Sequence, residues 1–373
     1  MIKNTPVITG IGLATPLGLG REKSWQALVQ SKSAVKKGAN AIAQISELAV
    51  PNDVRALSIA FFACAEAIND AALSAELLKS TNTGCVFSSS KPYIADHKKL
   101  NFNSFINQDS LGVQITNILG IKGTLLNFSA ACATGTLSII KAAQLVQNGE
   151  CDIVIAGSAE SPLNALYIAA FNNMGVTTKN LPRPFDKNRD GFAIGEGAGA
   201  IIVESKKSAL LRGAKIYGEI AGWNISNSAT KAFGATNIKI TAEAIKKTLA
   251  NCSFQVPNYI NAHGTATKEN DFAECWAIQE AFGSKTQSLC VSSTKAATGH
   301  TLGSSGAIEA AFCLLAMRDN IAPPTLNYET PDDSLPNINF VPNYAQNLNI
   351  DSALSFSFGF GGATAILALK KYE

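Results

Sequence analysis

The run "CDIVIAGSAE", residues 151–160, is apolar almost throughout and lacks the alternation of a half-exposed strand. Such a strand belongs inside a parallel sheet covered by helices on both faces. "GAGAIIVES", 197–205, reads as a strand too, and "GCVFSSS", 84–90, is a shorter one. "PVITGIGLATPLG" reads as a buried strand running into a Gly/Pro loop. Residues 53–73 read as a helix with Leu57, Phe61, Ala65 and Ile68 on one face. Strands alternating with helices predict an α/β fold. After the charged connection "KKSALLRGAK" the rhythm begins again. "IYGEIAGW" is strand, 239–250 helix, "YINAHG" a strand end, 271–282 helix, and "SLCVSST" precedes the apolar helix "GSSGAIEAAFCLLAM". Two versions of one plan are expected, and 373 residues suffice for two compact units.

Residues 352–369, "SALSFSFGFGGATAILAL", carry no charge over about the minimum membrane-spanning length. The central "GFGG" would break a helix, so two buried strands joined by a glycine loop are expected instead. A net charge of +3 gives no footprint for nucleic acid. The eight cysteines (64, 85, 132, 151, 252, 275, 290 and 313) form no CxxC and no zinc rhythm with histidine. The opening "MIKNTPVITG" is strand-like rather than a charged start before a long apolar segment. The expectation is a cytoplasmic, reducing environment in which most of these cysteines are small core residues.

Cys132 stands apart. It lies in "SAACATGT", between the apolar "TLLNF" and the helix-like "LSIIKAAQLV". A residue linking strand to helix sits at a helix N-terminus, where free N–H groups and the dipole favour a thiolate. Its small neighbours leave room for a substrate. Only three histidines are present. His263 in "NAHGTAT" and His300 in "STKAATGHTLGSSG" both follow strand-like runs, where α/β sheets place their sites. His97 has polar company and reads as surface. A cysteine with two histidines suits acyl chemistry. Lys295 is the one charge in its segment, and Glu309 the only acid between Gly283 and Asp319. The two are expected to pair if buried; the alternative is a solvated lysine and a glutamate on a wet helix face. "GEGAG" and "GFGG" lack the spacing and context of a dinucleotide fingerprint, and there is no Walker lysine.

Together these segments resemble the elongating β-ketoacyl-acyl carrier protein synthases of the thiolase-like superfamily. The resemblance rests on "SAACATGTLSIIKAAQLVQNGECDIVIAG", "RPFDKNRDGFAIGEGAGAIIVE", "NAHGTAT", "SSTKAATGHTLGSSGAIEA" and "SFGFGG", in family order. It implies two pseudo-repeated βαβαβαββ halves in a layered α-β-α-β-α core. The nucleophilic cysteine would lie in residues 1–208 and the two histidines in 209–373. It implies a decarboxylating condensation of an acyl-Cys132 thioester with malonyl-acyl carrier protein. His263 and His300 would hold the thioester oxygen, Lys295 with Glu309 would organise the His300 side, and the Cys132 and Phe360 N–H groups would form an oxyanion hole. Thr265 and Thr267 would bind the phosphopantetheine arm, and Phe358, Phe360 and Phe171 would shape or gate the acyl pocket. No cofactor is implied beyond the phosphopantetheine that carries the substrates. The implied partners are an acyl carrier protein and a second copy in a homodimer, with no nucleic acid and no membrane insertion.

Several segments depart from the family pattern. Residues 32–50 are compressed, and "KPYIADHKKLNFNSF" replaces a glycine-rich segment that normally helps form the dimer interface and pocket floor. "TKEND" after the first histidine keeps only Asp271 of the usual motif, and Gly157-Ser158 stands for Gly-Gly. "SNSATKAFGATN", near the pantetheine entrance, and "ATA" after "FGFGG" are also unusual. They suggest a specialised paralogue. The competing reading is a non-catalytic, chain-length-factor-like subunit, although such proteins usually lose the cysteine. A thiolase would need a second cysteine in the C-terminal glycine loop, and an acyl-CoA-primed synthase an asparagine in place of His300.

Overall fold

The structure is a computed structural model that describes residues 4–91, 110–227 and 237–372. His97, most of "KPYIADHKKLNFNSF" and most of "SNSATKAFGATN" lie outside the described residues. The principal strands are β1 (Pro6–Thr15), β2 (Thr83–Ser88), β3 (Leu125–Leu126), β4 (Ile153–Glu160), β5 (Gly197–Ser205), β6 (Gly218–Asn227), β7 (Tyr259–Asn261), β8 (Cys290–Ser292), β9 (Ser352–Phe358) and β10 (Ala363–Lys371). Six principal helices connect them: α1 (Asn52–Asp70), α2 (Leu111–Leu119), α3 (Thr134–Gln147), α4 (Ile238–Leu249), α5 (Lys268–Phe282) and α6 (Ser305–Asp319).

The first five strands are ordered β3-β2-β4-β5-β1, and the last five β8-β7-β9-β10-β6. Renumbered within its own half, each order reads 3-2-4-5-1. The directions match as well: the first three strands of each series are parallel and the next two pairings antiparallel. Each half is therefore one copy of a βαβαβαββ unit, the plan that the family resemblance implied. The halves join where β1 meets β6, through the pairs Val7↔Glu219 and Ile8↔Gly218.

Helices α3 and α6 pack against each other and against strands of both halves, while α1 covers β1, β4 and β5, and α4 covers β6 and β10. This produces five layers with α3 and α6 in the middle. A helix that is apolar all round belongs in such a place, and α6 is buried continuously from Ser305 to Met317. Strands β4 and β5 are buried at every residue, which explains their unbroken apolar runs. The uncharged C-terminal stretch forms the hairpin β9–β10, paired from Ser352↔Lys370 to Phe358↔Thr364. Among the described residues no helix is long and apolar enough to cross a membrane. All eight cysteines are buried and unbridged.

Of Leu57, Phe61, Ala65 and Ile68 on α1, only Leu57 and Ile68 pack against the core; the fully buried residues are Ile59, Ala60, Ala63, Cys64 and Ala67, and Phe61 is 40% exposed. The reason is close approach: a Cβ on Gly12 of β1 would lie 1.9 Å from the Ala63 carbonyl oxygen. Where the helix backbone rests on the strand the contact residues are Ala63 and Ala67, because nothing larger fits there.

Candidate active site

The segment around Cys132 is less direct than a strand running into a helix. After the two-residue strand β3 comes irregular backbone, then a 3-10 turn over Ala131–Ala133, and only then α3. Cys132 sits in that turn, and Ala131 beside it takes a left-handed φ of 48°. Ala130 N–H donates to Thr134 Oγ1, and Thr134 Oγ1 donates to the Ala131 carbonyl, so the turn is tied down from both sides. The small neighbours permit this tight path beneath α6.

His263 follows β7 and His300 precedes α6, each in the loop beyond a parallel strand end. Cys132, His263 and His300 open onto one cavity of about 560 Å³, with Thr265, Thr267, Phe192, Phe358 and Phe360 among its walls. The two imidazoles meet edge to face, with centroids 5.5 Å apart and planes at 84°. Phe358 lies 5.4 Å from the His263 ring and Phe192 4.9 Å from His300. Thr265 and Thr267 hydroxyls are 2.9 Å apart at the cavity wall. Phe171 does not line this cavity. It stands behind Phe192, edge-on at 5.8 Å, in a cluster against which Phe360 packs.

Electrostatics set the protonation states. Burial, reinforced by the Lys295 cation, holds both histidines well below the usual imidazole range, so both are neutral near pH 7. Leu302 N–H donates to His300 Nδ1 at 3.3 Å. The single proton of that neutral ring therefore resides on Nε2. Lys295 Nζ and Glu309 Oε1 pair at 2.5 Å with both side chains almost fully buried. Burial pushes the Glu309 carboxyl up, and Lys295 opposes that shift. The expected pair is thus present, and its solvated alternative is not. The expectation of a depressed Cys132 pKa is reversed: burial raises the thiol, although Lys91 and Lys295 pull it down. The thiol is favoured at rest because desolvation of a thiolate outweighs the pull of the two cations.

Two contributors were not anticipated. Glu274 of α5 accepts from His263 N–H at 2.6 Å and Gly264 N–H at 2.8 Å, clamping the histidine loop by its backbone. Burial pushes its carboxyl up to about 8. Its sequence signal was available: Asp271, Glu274, Cys275 and Ile278 share the buried face of α5. Ser305 is the other; its hydroxyl lies 2.9 Å from His300 Nδ1. A serine among small residues gave no signal in sequence.

Comparison with known proteins agrees with this geometry. Residues 39–209 match the model described as beta-ketoacyl synthase, N-terminal domain, and 217–329 that of the C-terminal domain. The 3-oxoacyl-[acyl-carrier-protein] synthase 2 of Synechocystis sp. is 34% identical, covering 100% of this chain and 99% of that protein. The Coxiella burnetii protein of the same name is also 34% identical, with the same coverage. Among solved structures, a type II polyketide ketosynthase in complex with its acyl-carrier protein superposes with a TM-score of 0.91 at 27% identity, covering 99% of this chain and 100% of that one. A beta-ketoacyl synthase from Burkholderia phymatum gives the same TM-score, identity and coverage.

Proposed function

Because this chain belongs to the β-ketoacyl synthase family, we propose that it condenses an acyl group carried on Cys132 with malonyl-acyl carrier protein, releasing carbon dioxide and forming β-ketoacyl-acyl carrier protein. It is a condensing enzyme of fatty-acid or polyketide synthesis. In this reading the Cys132 sulfur attacks the acyl thioester, the carrier thiol leaves with the cysteine proton, and the acyl group stays on Cys132. The malonyl carrier then enters. Its carboxylate C–C bond breaks, carbon dioxide departs, and the electron pair passes into an enolate. The carbanion attacks the acyl-Cys132 carbonyl, and the Cys132 sulfur leaves. Cys132 and Phe360 N–H groups hold the tetrahedral oxyanion, while Thr265 and Thr267 bind the phosphopantetheine arm.

The observation that carries this reading is a pair of neutral, buried histidines on one cavity wall with a thiol. A neutral Nε2–H donates to a developing enolate oxygen without first having to lose or gain a proton. Lys295 and Glu309 add a buried charged pair behind His300. Phe358 and Phe360 flank the acyl thioester, and Phe171 lies deeper, behind Phe192. The substrates bring phosphopantetheine with them, and the chemistry calls for no further cofactor. A homodimer and a cytoplasmic location belong to the same reading; the eight unbridged cysteines support a reducing compartment.

The test is turnover with malonyl- and acyl-acyl carrier proteins, following carbon dioxide and β-ketoacyl product by mass. The expected result is product from the wild type and a fall of about 10²–10³-fold when either His263 or His300 becomes alanine. Wild-type protein that is folded yet yields neither product would overturn the proposal.

A further inference from the structure

His300 Nδ1 has two donors near it and one lone pair. Leu302 N–H reaches it at 3.3 Å, and Ser305 Oγ lies at 2.9 Å. The backbone N–H can only donate, so Nδ1 is an acceptor and the Ser305 hydroxyl must give its hydrogen to the ring. Thr301 Oγ1 lies 3.0 Å from Ser305 Oγ. With the Ser305 hydrogen committed to the ring, Thr301 is the donor in that second contact. The direction of the whole chain is therefore fixed: Thr301 hydroxyl to Ser305 hydroxyl to His300 Nδ1, with the imidazole hydrogen on Nε2. All three side chains are buried, at 1%, 3% and 1% exposure for Thr301, Ser305 and His300. Water does not compete for these bonds.

The ring is also held by its backbone. His300 N–H donates to the Ala193 carbonyl at 2.7 Å, and its own carbonyl accepts from Gly195 N–H at 2.9 Å. The main chain thus fixes where the imidazole stands and, through Leu302 N–H, which nitrogen bears the proton; the two hydroxyls reinforce that choice.

We infer that Ser305, oriented by Thr301, is a positioning residue that backs the Leu302 N–H in holding His300 in its Nε2–H form and strengthens Nε2–H as a donor to the enolate oxygen. The inference rests on the functional reading above. A hydroxyl donating to Nδ1 draws electron density from the ring and so sharpens the opposite N–H. The same bond opposes imidazolium, because a protonated Nδ1 would turn a donor toward the Ser305 hydrogen and the Leu302 N–H.

Three variants test it. Ser305→Ala removes the hydroxyl, Ser305→Thr keeps it, and Thr301→Val removes its orienting partner. Malonyl decarboxylation is measured against pH for each, alongside melting temperature. Imidazole ¹⁵N spectra are recorded as well; with three histidines in the chain they are simple to assign. Ser305→Ala is expected to lower kcat about five- to tenfold with little change in KM, the loss of one hydrogen bond acting through the ring. Its acid limb moves to higher pH and the His300 Nδ1 resonance shifts. Thr301→Val shows the same changes more weakly, and Ser305→Thr restores most of the activity. Wild-type kcat, pH profile and ¹⁵N spectrum in folded Ser305→Ala would overturn the inference. So would a rate loss with KM raised and the His300 spectrum unmoved. A wild-type protein that fails to decarboxylate malonyl carrier protein while its ¹⁵N spectrum shows Nδ1 accepting from Ser305 would count against the functional reading alone.

Discussion

At Cys132 two influences oppose each other. The thiol is 6% exposed, and burial raises its pKa above the ordinary 9.0, while Lys91 and Lys295 favour the thiolate. Because burial prevails, the thiol is neutral at pH 7 and the thiolate fraction is still growing as pH passes 9. Alkylation of Cys132 by a small reagent, mapped by peptide mass, should therefore accelerate through pH 9 and beyond. A rate that levels off below pH 8 would mean an activated resting thiolate and contradict this account. The sequence pointed to Cys132 through its small neighbours and the helix that follows. It did not show the burial, because that comes from α6 and the β9–β10 turn, more than 170 residues away. The histidines were legible for a simpler reason: glycine- and threonine-rich loops at strand ends are where an α/β sheet exposes side chains to a ligand. Glu274 was readable as an acid on the buried face of α5, but its hydrogen bonds to the His263 loop were not, and no periodicity encodes the bond from Ser305 to a ring nitrogen.

Among the elements, the central helix pair governs the site, since α3 begins just after Cys132 and α6 carries Ser305 and Glu309. Their approach depends on Gly306: a Cβ there would fall 2.1 Å from Thr136 Oγ1 and 2.7 Å from Ser357 Oγ. Gly306→Ala should therefore cost about 1–3 kcal/mol, the usual penalty of overpacking a dense core, read from denaturant midpoints. A loss below about 0.5 kcal/mol would show that the helices can part without cost. The apolar run of α6 made its burial readable in advance, and one acid in that run made Glu309 stand out. On helix α1 the large apolar residues mark only part of the inner face: Leu57 and Ile68 pack against the core, but where the backbone rests on Gly12 the contact is Ala63 and Ala67.

Across the whole molecule, the repeated strand-helix rhythm reflects a real duplication, with both halves in the order 3-2-4-5-1. That order was not legible. Strands of two or three residues such as β3, β7 and β8 carry too little pattern, and pairing across a sheet depends on contacts remote in sequence. The duplication has a functional consequence, because the equivalent connections β3–α3 and β8–α6 bring Cys132 and His300 to a shared cavity, which His263 joins from β7–α5. Condensation by this protein stands or falls on Cys132 carrying the acyl group. The measurement is intact mass of wild-type and Cys132→Ala protein after incubation with acyl carrier proteins of graded chain length. One acyl adduct is expected on the wild type, absent from Cys132→Ala, with a clear preference among chains. An adduct that persists in Cys132→Ala, or folded wild-type protein that loads no chain at all, would contradict it.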